Sequence, residues 1–239
     1  MSWRPATVVS VRPESPAART VVLQVPGWPG HQAGQHVDIR LTADDGYTAS
    51  RSYSIASVAD GELVEVTVER LDDGEVSPYL VDVVAPGDRL EVRGPVGGWF
   101  VWKPDQVEPV LLVGGGSGVV PLMSIVRRHV GCSAPMRLVY SLREPSATLY
   151  RDELAALAAD GLPLTYVYTR RTPEGWPRPP GRLDAELLAA SAFPPSESPT
   201  SYVCGPTGFV ETVADLLVGA GHDPRRVRTE RFGPSGGSS

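Results

Sequence analysis

Two periodicities divide the chain near residue 103. In residues 63–71 Val64, Val66 and Val68 alternate with Glu65, Thr67 and Glu69. That period of two predicts a half-buried strand. Residues 7–11, 19–25, 36–41 and 89–92 repeat the pattern more weakly. Turn signals separate them at Ala33-Gly34, Asp45-Gly46, Asp60-Gly61, Asp73-Gly74 and Pro86-Gly87-Asp88. Short strands at this spacing with polar outer faces predict a closed or nearly closed antiparallel β-barrel.

Beyond the linker Lys103-Pro104-Asp105 the pattern changes. Val110-Leu111-Leu112-Val113 is apolar throughout, as in a parallel strand covered on both faces. It runs into Gly114-Gly115-Gly116-Ser117-Gly118. A helical face of Val119, Val120, Leu122, Met123, Val126 and Val130 follows. Strands at 137–140, 164–168, 201–203 and 226–232 then alternate with helices at 150–159, 184–190 and 207–218. This predicts an α/β domain with a parallel sheet and helices on both faces. The two-domain expectation is a barrel over 1–103 and an α/β domain over 108–239, with the boundary between Lys103 and Glu108.

Composition narrows the classes. The 239 residues suffice for two modest domains. A net charge of −6 argues against non-specific nucleic-acid binding. Two cysteines, Cys132 and Cys204, are too few for a disulfide scaffold, a four-cysteine zinc site or a four-cysteine iron–sulfur cluster, so no metal is expected. The N-terminal residues lack an apolar signal core, and no apolar run approaches membrane-spanning length, so a cytoplasmic protein with no membrane partner is expected.

Several segments carry candidate chemistry. Gly116, Gly118 and Pro121 fit G-x-G-x-x-P, a strand-to-helix turn whose free N–H groups suit a pyrophosphate. Arg51-Ser52-Tyr53-Ser54-Ile55-Ala56-Ser57 places a guanidinium, a phenol and three hydroxyls together. On a strand Arg51 and Tyr53 share one face, and Ser52 and Ser54 the other. Arginine suits bidentate phosphate binding, and a tyrosine ring stacks on flat heterocycles. The run from Gly74 through Val76 and Ser77 opens a helix-like piece at 78–83, a second place for a phosphate. Each segment alone also reads as ordinary structure: a glycine turn, an amphipathic strand, a serine cap. In parallel sheets ligands bind beyond the carboxyl ends of the strands. That edge here carries Gly114–Gly118, Ser141, Arg143, Thr169, Arg170, Arg171, Cys204, Gly205 and Pro206.

Taken in order over residues 5–233, these motifs resemble the ferredoxin–NADP reductase superfamily. They are Arg51-x-Tyr53-Ser54 with Ser57, Gly74-x-Val76-Ser77, Gly94-Pro95-x-Gly97, Gly114-Gly115-Gly116-x-Gly118-x-x-Pro121, Cys204-Gly205-Pro206 and Glu230-Arg231-Phe232-Gly233. The resemblance implies a flavin-binding barrel and a nucleotide-binding α/β domain. It implies that Arg51 holds the flavin pyrophosphate, that Tyr53 covers the isoalloxazine, and that Ser54 lies near N5. Gly74, Val76 and Ser77 would bind the pyrophosphate, which favours FAD over FMN. The Gly114–Pro121 turn would hold the NAD(P)H pyrophosphate. Cys204 would flank the nicotinamide, and Phe232 falls where relatives carry a terminal flavin-covering aromatic. Trp99 replaces the usual Phe or Tyr, and six residues follow Gly233.

The expected function is hydride transfer from NADPH to FAD, then electron release to a separate ferredoxin, flavodoxin or oxygenase partner. Ser54, Cys204 and Glu230 are the expected catalytic residues. Glu230 reads equally as a surface carboxylate and Cys204 as a small buried filler. Arg143, Arg170 and Arg171 favour the 2′-phosphate of NADPH over NADH. Alternatives are an electron-transfer subunit that works only inside a complex, or an NADH-dependent flavin reductase.

Overall fold

In the computed structural model, which describes residues 1–43 and 45–232, the alternating first half forms six antiparallel strands. They are β1 (Arg4–Ser15), β2 (Ala18–Gln24), β3 (His36–Thr42), β4 (Thr48–Ser54), β5 (Leu63–Glu69) and β6 (Arg89–Val96), in sheet order β4-β3-β6-β1-β2-β5. The two edge strands meet: just past β4, Ile55 bridges Val66 of β5, and the Ala56 N–H donates to the Glu65 carbonyl at 2.8 Å. The sheet thereby curls into the expected barrel. Its core includes Val21, Leu23, Val37, Ile39, Ile55, Val64, Val66 and Val92, all fully buried. The polar side of β5 is less exposed than its alternation suggests. Thr67 is buried and its hydroxyl lies 2.7 Å from that of Thr20. A buried hydroxyl that finds a partner avoids the cost of desolvation.

The second half forms β7 (Val110–Gly115), α1 (Val119–His129), β8 (Met136–Leu142), α2 (Arg151–Ala159), β9 (Leu164–Tyr168), α3 (Ala185–Ser191), β10 (Thr200–Pro206), α4 (Thr207–Gly219) and β11 (Val227–Phe232). The five strands are parallel, in the order β11-β10-β7-β8-β9. Every residue of β7 is buried, as its apolar run predicts. Helices lie on both faces. A Cβ at Gly114 would stand 3.1 Å from Leu122 of α1, and one at Gly115 would stand 2.6 Å from Phe209 of α4. Leu111, Val113, Val139, Val203, Val210, Val213 and Leu217 form the core on the α4 side.

Among the described residues, compact packing groups 1–103 with 123–130, and 104–122 with 131–232. Among the described residues no helix is long and apolar enough to cross a membrane. Nor is there a group of three or more His, Cys, Asp or Glu placed to hold a metal ion.

Candidate functional site

In the first unit, β4 presents Arg51 and Tyr53 on one face and Ser52 and Ser54 on the other. The four positions pair with Ile39, Val37, Asp38 and His36 of β3. Tyr53 packs against the barrel core, and burial pushes its phenol pKa up. It is therefore a neutral ring surface at neutral pH. Arg51 stays exposed. Its guanidinium lies 3.5 Å from Glu75, which brings β4 against the Gly74–Ser77 turn, more than twenty residues along the chain. Two segments that each read as ordinary structure thus converge.

Ser52 is committed elsewhere. Its hydroxyl donates to Asp38 at 2.6 Å, and Arg93 donates to the other Asp38 oxygen at 2.7 Å. Burial opposes ionisation of Asp38, but these two hydrogen bonds, with the charges of Arg93 and His36, hold its carboxyl below the usual range. The side chain of Ser52 therefore ties β4 to β3 on the face opposite Arg51. The helix-like piece after Ser77 is a single π-helical turn, Tyr79–Val83, too short for a useful dipole. Ser77 does not cap it. Its buried hydroxyl accepts from the Leu71 N–H at 3.1 Å and closes the turn around Gly74. A Cβ at Gly74 would stand 2.9 Å from that hydroxyl oxygen. Val76 is fully buried, so its side chain offers nothing to a ligand. The segment after Ser54 is pinned at several points. The Ile55 N–H donates to the Gln35 carbonyl, Arg127 donates to the Ala56 carbonyl, and His31 Nε2 lies 3.0 Å from the Ser57 carbonyl.

In the second unit, the glycine cluster has two distinct jobs. Gly116 has φ +55° and leads into a 3₁₀ turn, Gly116–Gly118, whose N–H groups carry no side-chain cap. Pro121, buried in the first turn of α1, costs no helical hydrogen bond. The α4 start at Thr207, after Pro206, also lacks a side-chain cap. Two helix starts with uncapped donors therefore follow adjacent strands β7 and β10, which suits a pyrophosphate. The other glycines make room. A Cβ at Gly118 would stand 2.1 Å from the Cys204 carbonyl oxygen, so α1 can start here only with glycine. Cβ atoms at Gly115 and Gly205 would stand 2.6 and 2.7 Å from the Phe209 ring, which fills the space both lack. Phe209 carried no motif and was invisible in the sequence.

The expected arginines share one sheet edge. The Arg143 carbonyl accepts from the Arg170 and Arg171 N–H groups at 2.9 and 3.1 Å, and the Leu142 carbonyl from the Thr169 N–H. These bonds zip the β8 and β9 loops together and set three guanidinium-bearing residues side by side. Arg143 and Arg170 are exposed, and Arg171 lies 3.6 Å from Glu144. Ser141 is buried at the end of β8. Cys204 and Glu230 are register partners on β10 and β11. Burial, then the nearby Glu230, push the Cys204 thiol up. Burial pushes the Glu230 carboxyl up to about 7. Phe232, opposite Pro206 at the end of β11, is 37% exposed. Gly233 and the tail after it lie outside the described residues.

The order of these features along the chain has counterparts in known proteins. The Oxidoreductase FAD-binding domain model matches residues 5–101, and the Oxidoreductase NAD-binding domain model matches 112–215. Ferredoxin–NADP reductase B of Sorangium cellulosum is 33% identical over 241 residues, covering 95% of this chain and 96% of that protein. The chain belongs to the ferredoxin–NADP reductase superfamily.

Other members of the superfamily place it further. The ferredoxin reductase component of the Rhodococcus rhodochrous 3-ketosteroid-9-alpha-monooxygenase is 34% identical, covering 95% of this chain and 64% of that one. The FAD/NAD-binding domain of nitric oxide dioxygenase from Vibrio cholerae has the same fold, with a TM-score of 0.86 at 27% identity, covering 97% of this chain and 99% of that domain. The chain spans only 52%, 64% and 56% of three longer curated relatives. A barrel carrying Arg51 and Tyr53, and a sheet edge with two uncapped helix starts, fit the FAD and nicotinamide nucleotide that the two domain models specify.

Proposed function

We propose that this protein is an NADPH-dependent FAD reductase that passes electrons to a separate redox protein, such as a ferredoxin, a flavodoxin or an oxygenase component. The observation that carries the reading is the convergence of Arg51 on the Gly74–Ser77 turn, 3.5 Å across the Glu75 contact. It supplies one guanidinium and a glycine turn for one diphosphate.

In this reading residues 1–103 form the flavin domain and 108–239 the nucleotide domain. Arg51 and the main chain of Gly74, Val76 and Ser77 hold the FAD diphosphate. Tyr53 offers a neutral ring face to the isoalloxazine, and Ser54 a hydroxyl beside it. Ser52 keeps β4 in register through Asp38. In the nucleotide domain Gly116, Gly118 and the uncapped N–H groups of the 3₁₀ turn before α1 hold the NADPH diphosphate. Gly114, Gly115 and Gly205 let the strands and helices approach closely enough to shape that cradle. Pro206 leads the α4 start to the same edge, and Ser141 lies under it.

Arg143, Arg170 and Arg171, with Thr169, bind the 2′-phosphate. Cys204 presents an uncharged thiol to the nicotinamide. Glu230 holds a proton near neutrality that a solvent-exposed carboxyl would have lost. Phe232 supplies a part-exposed aromatic ring at the end of β11. A bound FAD would supply the hydride-accepting and electron-releasing chemistry that these side chains cannot.

The test is purification and flavin uptake. The protein should come out yellow or bind FAD stoichiometrically, and Arg51→Ala should weaken FAD binding while leaving riboflavin binding unchanged. A wild-type protein that takes up no FAD overturns the reading.

A further inference from the structure

Resting on the reading that Arg51 holds the FAD diphosphate, we infer that Glu75 is a built-in counter-ion that competes with that diphosphate and lowers FAD affinity. Glu75 occupies the variable position of Gly74-x-Val76-Ser77. Its neighbours Val76 and Ser77 are buried, whereas Glu75 projects outward. Its two carboxylate oxygens are divided between two partners. Tyr47, in the hairpin before β4, donates its hydroxyl to Oε1 at 2.6 Å, and Arg51 Nη2 lies 3.5 Å from Oε2. The Arg51 Nη1 donates to the Ser50 carbonyl at 2.8 Å, so the Nη2 side is the one turned towards Glu75.

Tyr47 is 58% exposed, and the side chains of Arg51 and Glu75 are 56% and 49% exposed. None of the three therefore earns its place by packing, and an exposed ion pair at this separation adds little to fold stability. What the arrangement does is hold a carboxylate against the guanidinium that the diphosphate needs. A diphosphate carries more charge than a carboxylate and engages the planar fork through two oxygens, so it displaces Glu75. The displaced carboxylate, still tethered by Tyr47, stays close and repels it.

Glu75→Gln keeps an acceptor for Tyr47 and removes the charge. Removing one charge about 4 Å from an anion in water-like surroundings corresponds to roughly a five- to tenfold change in binding. FAD titration of the apoprotein, followed by flavin fluorescence, should therefore show about five- to tenfold tighter binding for Glu75→Gln at low salt. The gain should fade towards 1 M salt, where the screening length falls to about 3 Å. The inhibition constant of inorganic pyrophosphate against FAD should fall by a similar factor in the variant. Riboflavin, which lacks phosphate, should bind both proteins equally, and thermal melting of the apoproteins should coincide.

The gain should shrink in an Arg51→Ala background. FAD binding that is unchanged or weaker in Glu75→Gln, or a gain that is undiminished without Arg51, overturns the inference. Failure of the wild-type protein to bind FAD would instead overturn the reading on which it rests.

Discussion

Cys204 and Glu230 are register partners on the parallel strands β10 and β11, and burial pushes the pKa of both groups up. Burial raises the carboxyl of Glu230 from its ordinary 4.5 to about 7. A raised carboxyl favours the protonated fold, so its contribution is full below about 4.5 and is lost as pH rises through about 7. Glu230→Gln cannot ionise. Chemical denaturation from pH 5 to 8 should show the stability of the variant rising relative to wild type across that interval. A constant difference between the two would contradict the assignment.

The Phe209 ring fills the space left by two glycines in adjacent strands. Gly115→Ala places a Cβ about 2.6 Å from ring carbons, and overpacking of this kind costs about 1–3 kcal/mol. Phe209→Ala opens that space. The double variant should therefore be more stable than the sum of the two single changes predicts, as contacting residues are in a double-mutant cycle. Strict additivity in urea melts would show that the ring and the glycines do not share that space.

His31 tests the pinning of the segment after Ser54. Its Nδ1 accepts from Trp28 Nε1 at 3.1 Å, which leaves Nε2 to donate to the Ser57 carbonyl at 3.0 Å. Burial lowers its pKa, against the opposing effect of that carbonyl. Burial also lowers His222, and burial opposed by Asp38 lowers His36. A histidine with a lowered pKa stabilises the fold above its unfolded value near 6.5, and that stability is lost as pH falls through the folded value. Below pH 6.5 the melting temperature of wild type should fall relative to that of His31→Gln, which lacks this titration. An identical acid profile in the variant would remove His31 from the explanation.

The zipped β8 and β9 loops set the cofactor prediction. Arg170→Ala removes one charged donor from an exposed edge, so the expected loss is about tenfold in KM for NADPH, with KM for NADH unchanged. Equal losses for both nucleotides, or a wild-type preference for NADH, would contradict the 2′-phosphate assignment.

Much of this was legible from residue patterns. The alternation of Val64, Val66 and Val68 located β5, and the uninterrupted Val110–Val113 run located a strand covered on both faces, because burial dictates periodicity locally. Contacts between distant segments left no such trace. Nothing in the spacing of Ser52 showed that Asp38, fourteen residues earlier, would claim its hydroxyl. Ser77 read as a helix cap, but it closes the turn back to Leu71. Phe209 looked like an ordinary apolar helix residue until the sheet placed Gly115 and Gly205 side by side beneath it. The pairing of Glu75 with Arg51 likewise depends on how the barrel closes, which a local pattern does not encode.

The most direct measurement is anaerobic addition of NADPH to the FAD-loaded protein, with no partner present, while the visible flavin band is followed. The account predicts rapid and complete bleaching by NADPH, slower bleaching by NADH, and return of the colour when an electron acceptor is added. A flavin band that NADPH leaves unchanged would contradict it.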